Sequence, residues 1–540
     1  MKKYIGIVAL SLLCSTSCNS MLDVEPTTFI SDEAIWEDSS LINQVVANAY
    51  GALLCGFNRE TANDGWNWAY AWAGNLDSAT SDFASHSDAP LIDLATELYT
   101  SATCPMVSEI WEQQYILIRR CNTIIEEITG VSDSVLSEEE RLDIEAQTRF
   151  LRAFGYFELA RTFGKAPLIL EAQDITDDLL VAPSTFDEII DFIVEDCDAC
   201  YQNLPLTVEA DDLGRVTQGA FLALKARALL YQASPLNTAD DTEKWVAAYQ
   251  AAEDVMDLGL YDLYKSGDTP FYSVCFDDTT SNTEFIFERR FSFPDAPHNI
   301  YMMWSLDVDA TSRSWNTLYP TQNLVDAYET LEGYTYDPQN PYANRDLRFE
   351  QSILHHGSQW QTTEVNIAPS GASSIQTNRA RCGYGLKKFI EELAPGISVY
   401  YEYAQSNNFP LFRYSEVLLN YAEARNEALD APDQSVCDAV NQIRSRAGLA
   451  NLTTSLSKDE MREKIRNERR LELLLEEHRF YDLRRWMDYD TLNESIKGVS
   501  VSEDGVYTYN DAVETRNFTG TYYYLPIPYE EQTKNPLLAD

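Results

Sequence analysis

The sequence predicts a mostly α-helical fold, a tetratricopeptide-like scaffold of packed helix pairs that carries an irregular, loop-rich capping subdomain with short strands. Many segments repeat their apolar residues at the 3.6-residue period of a helix with one buried face. Between about residues 260 and 410 this period fades, and Gly, Pro, Asn, Asp and Tyr become frequent. Such a composition is typical of loops and short strands.

Three segments show the helical pattern most clearly. Residues 143–163 are apolar on more than one face, which predicts a buried helix that ends at Gly164. Residues 219–233 carry one apolar stripe and stop before Pro235, which cannot continue a helix. Residues 413–429 carry a similar stripe. The last two segments share the alanine spacing of tetratricopeptide repeats, but no clean period of about 34 residues is present.

The remaining predicted elements complete a division of the chain into four parts. Further helices are predicted at about 33–56, 106–129, 184–203, 243–258, 433–447 and 458–486. Irregular segments are predicted at about 57–105, 260–410 and 488–540. The predicted parts are a signal peptide at 1–17, an N-terminal helical scaffold at 18–259, a loop-rich capping region at 260–410, and C-terminal helices with a tail at 411–540.

The N-terminus has the layout of a secretion signal. Lys2 and Lys3 precede an apolar run from Tyr4 to Leu13, and small polar residues then lead to Cys18. This run is shorter than the roughly 20 residues that a spanning helix needs. A cysteine in this place predicts a bacterial lipoprotein whose acylated Cys18 anchors it to a membrane. An ordinary cleaved signal, with Cys18 incidental, is the alternative, and Cys14 is a weaker rival acceptor.

Composition limits the classes of ligand. The chain has 86 acidic residues against 40 Lys and Arg, a formal net charge of −46. A field of this sign repels nucleic-acid phosphates and anionic lipids, so we expect no nucleic acid partner. Aromatic residues make up 12% of the chain and include 32 Tyr and 10 Trp. Rings at the surface suit neutral, sugar-like ligands, whose C–H faces stack on them.

The cysteines and histidines give no firm sign of a metal or redox site. Eight cysteines lie beyond the signal region, scattered in a way unlike a disulfide framework: Cys55, Cys104, Cys121, Cys197, Cys200, Cys275, Cys382 and Cys437. Cys197 and Cys200 form a C-x-x-C within a predicted helix, where small core residues are favoured over a redox or zinc role. The adjacent His355 and His356 are poorly spaced as two ligands on one helix face. We therefore expect no metal ion and no cofactor.

Enzyme signatures are absent from the sequence. It contains no phosphate-binding loop, no dinucleotide-binding glycine motif, no H-E-x-x-H and no G-x-S-x-G. A pair of carboxylates for glycoside hydrolysis cannot be chosen among 86 acidic residues. A surface hydrolase therefore has no positive support.

The segment EKIRNERRLELLLEEHRFYDLRRW, residues 463–486, combines an apolar leucine stripe with many charges. Arg469 and Glu472, and Glu476 and Arg479, are spaced i, i+3 and are expected to pair along a single helix. Anion binding by this arginine-rich segment is one interpretation. The favoured interpretation is a long helix joined to its neighbours by a charged rim.

Two aromatic clusters lie in irregular segments and are the candidate ligand site. Both include polar neighbours, among them Asn316. The candidate ligand-binding residues are Trp66, Trp68, Tyr70, Trp72, Asn75, Asp77, Trp304, Arg313, Trp315 and Tyr319. Two interpretations stand about even for each cluster, a stacking platform with polar edges and a satellite core beneath long loops.

A series of motifs resembles one known family in the usual order. The motifs are CNSMLDVEP, RFLRAFGYFELARTFGKAPLIL, NRDLRF, FPLFRYSEVLLNYAEA, NQIRSRAGL, NERRLELLLEEHRFYDLRRW and YLPIPYEEQTKNPLL. Over nearly its whole length the chain resembles the SusD/RagB-type outer-membrane lipoproteins of Bacteroidetes. Each motif alone is modest, and their ordered occurrence is specific.

The resemblance implies four tetratricopeptide-like helix pairs with an irregular capping subdomain, and a lipid anchor at Cys18. It implies display on the outer membrane and a SusC-like TonB-dependent transporter as partner. A SusD-like protein captures an oligosaccharide, or in some cases a peptide, and closes over the transporter as a hinged lid, without catalysis. Sugar is held by Trp and Tyr of the irregular parts, which supports both aromatic clusters.

One departure from the family's pattern concerns export to the cell surface. Acidic residues often follow the lipidated cysteine closely in this group, whereas Asn19, Ser20, Met21 and Leu22 precede Asp23 here. Attachment to the outer membrane is therefore a firmer expectation than an extracellular orientation.

Overall fold

A computed structural model of the chain describes residues 32–57, 75–85, 90–239, 241–308, 314, 316–374, 381–393 and 405–539. The signal region, Cys14 and Cys18 lie outside the described residues. Helices dominate the described chain, which confirms the predicted mostly-α class. The α-helices are α1 (Asp32–Ile35), α2 (Ser39–Gly51), α3 (Pro90–Thr96), α4 (Pro105–Ile128), α5 (Glu138–Phe163), α6 (Phe186–Cys200), α7 (Gln218–Ala233), α8 (Thr242–Asp257), α9 (Pro270–Ser273), α10 (Ile300–Trp304), α11 (Gln322–Ala327), α12 (Leu347–Ser352), α13 (Tyr414–Ala428), α14 (Gln434–Arg446), α15 (Lys458–Glu472), α16 (Arg479–Arg485), α17 (Tyr489–Leu492) and α18 (Tyr529–Lys534).

Strands are short and occur in antiparallel pairs. The pairs among the described residues are β1 with β5, β2 with β3, β4 with β10, β6 with β9, β7 with β8, and β11 with β12. Their bounds are β1 (Phe83–Ser85), β2 (Lys165–Ala166), β3 (Ser184–Thr185), β4 (Phe285–Arg289), β5 (Leu318–Pro320), β6 (Ile353–Leu354), β7 (Gln359–Trp360), β8 (Thr363–Glu364), β9 (Gly385–Leu386), β10 (Phe409–Arg413), β11 (Ile496–Val501) and β12 (Tyr507–Glu514).

The long helices form one continuous stack. The helices from α4 to α8 pack in chain order, each on the one before it. Helix α8 then packs on α13, which contacts both α14 and α15. About 150 residues separate α8 from α13 in the chain, and they hold most of the short strands. The predicted loop-rich region is therefore an insertion between two helices that are neighbours in space. The exact domain boundaries stay a prediction.

Local sequence signals set the helix ends. Ser137 with Glu140, Thr185 with Glu188, and Ser457 with Glu460 each form a capping box, in which side chains satisfy the free N–H groups of the first turn. Gly164 ends α5 with φ at +73°, a conformation that favours glycine. A Cβ atom at Gly164 would also lie 2.7 Å from the ring of Tyr524.

A cluster of phenylalanine rings packs where the helix stack meets the root of the insertion. The ring of Phe150 on α5 lies 5.5 Å from that of Phe221 on α7, 4.9 Å from Phe287 on β4 and 6.4 Å from Phe412 on β10, between ring centroids. Edge-to-face packing of this kind favours one fixed arrangement. Because β4 and β10 pair with each other, the chain enters and leaves the insertion at neighbouring positions on the scaffold.

Two predicted helices are each broken in two. The helix expected at 33–56 is interrupted at Asp38, whose carboxylate caps α2 by accepting from the N–H groups of Ser40 and Leu41. The single helix expected at 458–486 ends at Glu472, and α16 begins at Arg479. Between them Leu475 and Glu477 have φ of +61° and +59°, which no α-helix accommodates.

The pairing predicted along this segment, Arg469 with Glu472 and Glu476 with Arg479, is also wrong, because these side chains are buried and pair with other partners. Arg469 donates to Asp482 at 2.7 Å rather than pairing with Glu472. Glu472 instead contacts the guanidiniums of three arginines. These are Arg348 at 3.0 Å, Arg413 at 2.7 Å, and Arg446.

Glu476 extends the same network. It pairs with Lys388 at 2.6 Å and with Arg413 at 2.7 Å. Burial alone would raise the pKa of Glu472, but the three guanidiniums around it hold that pKa well below its usual range. We call these paired side chains, with Glu284 and Glu468, the buried ion-pair network.

The remaining sequence predictions concern cysteines, histidines and membrane spans. The eight cysteines are buried and unbridged, and burial raises the pKa of Cys200 to about 12, in accord with a core role for the C-x-x-C. His355 stacks on Tyr342 with ring centroids 3.9 Å apart. Among the described residues, no cluster of three or more potential ligands is placed to hold a metal ion. Within the same residues, no helix is long and apolar enough to cross a membrane.

The buried ion-pair network predicts a large cost for removing one carboxylate. Glu472→Gln leaves three buried guanidiniums with one negative charge fewer, so we expect the free energy of unfolding to fall by roughly 3–5 kcal/mol. Asp262→Asn is the control, because Asp262 pairs with Lys265 at a site where both side chains are more than half exposed. This control should cost about 1 kcal/mol or less. Urea unfolding measures both, and equal losses would contradict a stabilising network.

Candidate functional site

The two irregular segments that hold the aromatic clusters are joined by a strand pair. Strand β1 follows the first cluster and β5 ends the second, and the two are antiparallel. Phe83 lies opposite Pro320, and Ala84 lies opposite Tyr319. The hydroxyl of Thr321 also donates to the Ser81 carbonyl oxygen at 2.7 Å. Segments far apart in the chain are therefore held side by side at one place.

The segment 75–85 is fixed to the stretch between α15 and α16. The Asn75 side-chain amide donates to the carbonyl oxygen of Leu475 at 2.8 Å, and the Phe480 N–H donates to Asp77 at 3.1 Å. Asp82 pairs with Arg470, and Arg479 lies 3.6 Å from the same carboxylate. The break in the predicted C-terminal helix thus supplies the backbone groups that hold this segment.

Two further arginines donate hydrogen bonds to the backbone of β1. Arg516 donates to the carbonyl oxygen of Phe83 at 2.8 Å, and Arg381 donates to that of Ser85 at 2.9 Å. Charged donors to carbonyl oxygens are among the stronger hydrogen bonds in proteins. We call residues 75–85 and 316–321, with these anchors, the platform. The platform is the described part of the chain that adjoins both aromatic segments in sequence.

The candidate residues fall into two groups. Trp66, Trp68, Tyr70, Trp72, Arg313 and Trp315 lie outside the described residues. Asn75, Asp77, Trp304 and Tyr319 are described, and each is at most 2% exposed. The structure therefore brings the bases of both clusters together, while the four described side chains point into the interior.

Trp304 belongs to an aromatic layer beneath the platform. It ends the short helix α10, and its ring lies 5.8 Å edge-on from that of Phe57. Phe57, the last described residue before the first tryptophan cluster, also packs on Phe389 at 5.1 Å and on Phe409 at 4.9 Å. Tyr319 packs among Ala84 and other buried apolar residues. This burial favours the satellite-core interpretation for Trp304 and Tyr319, and a ligand contact at either stays an untested prediction.

Asp77 has an unusual electrostatic setting. One of its carboxylate oxygens accepts from the Phe480 N–H, and the other is buried without a hydrogen-bond partner in the described chain. Burial raises the pKa of Asp77 to about 8, although the Phe480 N–H opposes the shift. The nearby carboxylates of Glu477 and Asp82 raise it further. Burial and the neighbouring carboxylates therefore both favour the protonated form of Asp77.

Sequence analysis missed the residues that build the platform. Asp82 and Arg516 were not singled out, and Arg470 was included only within the arginine-rich segment and the family motif that covers it. Asp307 was missed as well; its carboxylate accepts from the N–H of Ser314 at 2.7 Å and from the Ser314 hydroxyl at 2.8 Å. The one signal for these residues in the sequence was the high density of arginine near residue 470, because a solvent-exposed helix does not require so many arginines.

Two family models match successive parts of the chain. The model described as the SusD family matches residues 273–540, and the model described as "Starch-binding associating with outer membrane" matches residues 22–230. The chain belongs to the SusD-like family. A SusD-like protein from Formosa agariphila is 27% identical over 520 residues, covering 90% of this chain and 92% of the relative.

Solved structures of SusD-like proteins agree with this assignment. A SusD-like protein from Bacteroides fragilis is 26% identical, with a TM-score of 0.79 over 94% of this chain and 97% of the other. A SusD-like carbohydrate-binding protein from the same species is 24% identical, with a TM-score of 0.78 over 93% and 99%. Surface glycan-binding protein A from Bacteroides fluxus shares the fold at 21% identity, with a TM-score of 0.66 over 92% and 97%.

Asp77 predicts a measurable pH dependence of stability. Its folded pKa of about 8 exceeds the unfolded value near 4. Between these values the unfolded chain releases a proton that the folded chain retains, so stability falls as pH rises, by up to about 1.4 kcal/mol per pH unit. Asp77→Asn removes this contribution, and its free energy of unfolding should fall less than that of the native chain between about pH 5 and about pH 7.

Urea unfolding at several pH values measures the effect. Asp504→Asn makes the same chemical substitution at an exposed site and is the control. If Asp77→Asn and the native chain lose stability equally with rising pH, Asp77 does not retain its proton in the folded chain.

Proposed function

We propose that this SusD-like chain is a surface glycan-binding lipoprotein, which captures an oligosaccharide or polysaccharide and delivers it to a SusC-like TonB-dependent transporter. The observation that carries the proposal is the β1–β5 pairing. It holds the described ends of the two tryptophan-rich segments side by side, which supports one shared site for rings from both.

The properties of the chain support a neutral, hydroxylated ligand. The net charge of −46 disfavours polyanions. Aromatic rings bind the C–H faces of sugars, and polar side chains at their edges accept or donate to the hydroxyls. Two of the solved relatives support a glycan by their descriptions, one as carbohydrate-binding and one as a surface glycan-binding protein. One matching family model is described as starch-binding.

Two other functions compete with glycan capture. A receptor for peptides or other non-sugar nutrients on the same scaffold is the alternative, and a surface hydrolase has less support. Calorimetric titration with panels of neutral oligosaccharides and peptides separates the first two. Incubating purified protein with each glycan and analysing products by chromatography tests the third, and we expect no turnover.

Binding of a neutral oligosaccharide should depend on the aromatic segments. Shallow sugar sites bind with dissociation constants in the micromolar to millimolar range, about −4 to −8 kcal/mol. We expect alanine at Trp66, Trp68, Trp72, Trp304 or Trp315, substituted singly, to abolish binding in at least one case. Calorimetry on each variant measures the loss.

Two controls make this result interpretable. Tyr529→Ala removes a ring that is 57% exposed on α18, outside both aromatic segments, and should bind like the native chain. Trp304→Ala leaves a core cavity and is expected to cost roughly 3–5 kcal/mol of stability, so its folded fraction is checked by circular dichroism. If all five tryptophan variants bound the oligosaccharide normally, the assignment of the ligand site to these two segments would be wrong.

The proposed anchor and partner rest on the sequence motifs and the family. Acylation at Cys18 would hold the protein at the outer membrane, with its ligand site toward the extracellular side. The transporter would be a β-barrel in the same membrane, and the SusD-like chain would be its lid. The lid would bring the captured glycan to the barrel as it closes.

One experiment in the native bacterium tests anchor and partner together. Affinity-tagged native chain should fractionate with the outer membrane and co-purify a TonB-dependent β-barrel from mild detergent. Cys18→Ala should appear in soluble fractions, because the acyl chains supply the membrane affinity. Cys14→Ala is the matched control and should behave like the native chain. Membrane retention of Cys18→Ala would refute the anchor, and a native chain without a co-purifying barrel would refute the partner.

A further inference from the structure

A groove lies in the helix stack, away from the aromatic segments. It holds about 840 Å³ between α4, the segment 167–181 and the C-terminal segment 528–538. Binding sites in proteins usually have volumes of about 300–1,000 Å³. No residue that lines the groove belongs to the irregular regions at 57–105 or 260–410. The groove is therefore separate from the proposed glycan site.

Hydrogen bonds between its walls fix the shape of the groove. Arg119 on α4 donates to the carbonyl oxygen of Gln173 at 2.8 Å. Asn535 in the C-terminal segment donates to the carbonyl oxygen of Val181, also at 2.8 Å. The segment 167–181 is thus tied to both other walls. A groove formed in advance in this way requires little rearrangement when it binds a guest.

Apolar side chains line much of the groove and continue onto the surface beside it. Trp111 and Leu538 are buried in the lining, whereas Leu179 and Leu180 are 49% and 51% exposed. Leu537, the neighbour of Leu538 in the chain, is 51% exposed as well. Clustered apolar side chains at the surface, rimmed by polar ones, are typical of sites that bind another molecule. An apolar surface that continues outside the groove suits a protein better than a small molecule.

The charged residues of the groove carry an excess of negative charge. Four carboxylates and two cations line it, and they are Glu112, Glu171, Glu530, Glu531, Arg119 and Lys534. Lys534 pairs with Glu531 at 2.7 Å, whereas the other three carboxylates make no ion pair within the described part of the chain. The hydrogen bond to Glu531 raises the pKa of Lys534, and the charges of Glu530 and Glu112 raise it further. The groove therefore favours a guest that carries positive charge.

We propose that this groove docks a segment of a partner protein that carries apolar side chains together with lysine or arginine. The apolar side chains of the partner pack beside Trp111 and Leu180, and its cations pair with Glu112 and Glu530. An amphipathic helix laid into an apolar groove is a recurrent form of such docking. This inference goes beyond the proposed function, and neither depends on the other.

The same charges disfavour the other occupants of an apolar groove. A second copy of this chain, in a symmetric contact, would bring the same carboxylates against each other. The chain's own N-terminal segment at 19–31 has two acidic residues and no lysine or arginine. An anionic lipid surface is repelled by the excess of carboxylates. A basic, apolar segment of another protein matches both properties of the groove.

Calorimetric titration of the full chain with three designed peptides tests the proposal. The first is an amphipathic peptide of leucine and lysine, the second has glutamate in place of each lysine, and the third has serine in place of each leucine. We expect the first to bind with a dissociation constant of about 1 mM or below. The second and third should each bind at least about tenfold more weakly, because one lacks the charge and the other the apolar side chains.

Variants of the chain locate the binding. Leu180→Asn should weaken binding of the leucine–lysine peptide about tenfold, because it removes apolar contact without adding charge. Leu206→Asn is the matched control, since Leu206 is 49% exposed and does not line the groove, and it should bind normally. Glu530→Gln should weaken binding about threefold. Glu332→Gln, at an exposed site on the insertion, is its control.

Several results would overturn the proposal. Equal binding of the leucine–lysine peptide by Leu180→Asn and the native chain would show that the groove is not the site. Equal binding of the glutamate or the serine peptide would contradict the proposed chemistry of the partner. A dimer of the native chain that Leu180→Asn dissociates, measured by sedimentation, would assign the groove to a second copy. Leu180→Asn should keep the native unfolding temperature and the affinity for a neutral oligosaccharide, so the docking and glycan proposals fail separately.

Discussion

The buried ion-pair network around Glu472 is the constraint on which the rest of the architecture depends. Arg446 and Glu472 come from the helix scaffold, Arg413 ends β10 directly before α13, and Arg348, Lys388 and Glu284 come from the insertion. Charges removed from water are costly unless each is closely paired. A shift of the insertion relative to the scaffold would separate several pairs at once. The network therefore fixes the orientation of a loop-rich region that has little regular secondary structure to do so.

The same constraint determines where the candidate site can form. Glu472 ends α15 and Glu476 lies in the irregular stretch that follows it, and both pair within the network. The end of the helix frees the Leu475 carbonyl oxygen and the Phe480 N–H, which then bond to Asn75 and Asp77. The first aromatic segment is thus tied to the scaffold, and β1 carries the attachment to the second segment through β5. Ion pairing in the core and placement of the site are two consequences of one break in a helix.

The sequence allowed the helix stack to be predicted, but not the network or the platform. Periodicity and capping signals report on contacts between near neighbours in the chain, so α5, α7 and α13 were found with nearly correct ends. Arg469 and Glu472 have the i, i+3 spacing of an ion pair on one helix, yet they do not pair with each other. Arg469 pairs with Asp482, and Glu472 pairs with three distant arginines. Pairings of this kind depend on tertiary proximity. For the same reason, spacing could not separate buried rings such as Trp304 from ligand-contacting ones.

Charge is distributed unevenly between the interior and the surface, and this bears on the proposed glycan site. A large share of the positive charge is buried. The arginines that are less than 9% exposed are Arg152, Arg161, Arg227, Arg345, Arg348, Arg413, Arg444, Arg469, Arg479, Arg484, Arg485 and Arg516. The surface is therefore poor in the positive charge that would offset its many carboxylates, and its long-range field discourages anions. That field favours neutral sugars over anionic ones at the proposed glycan site.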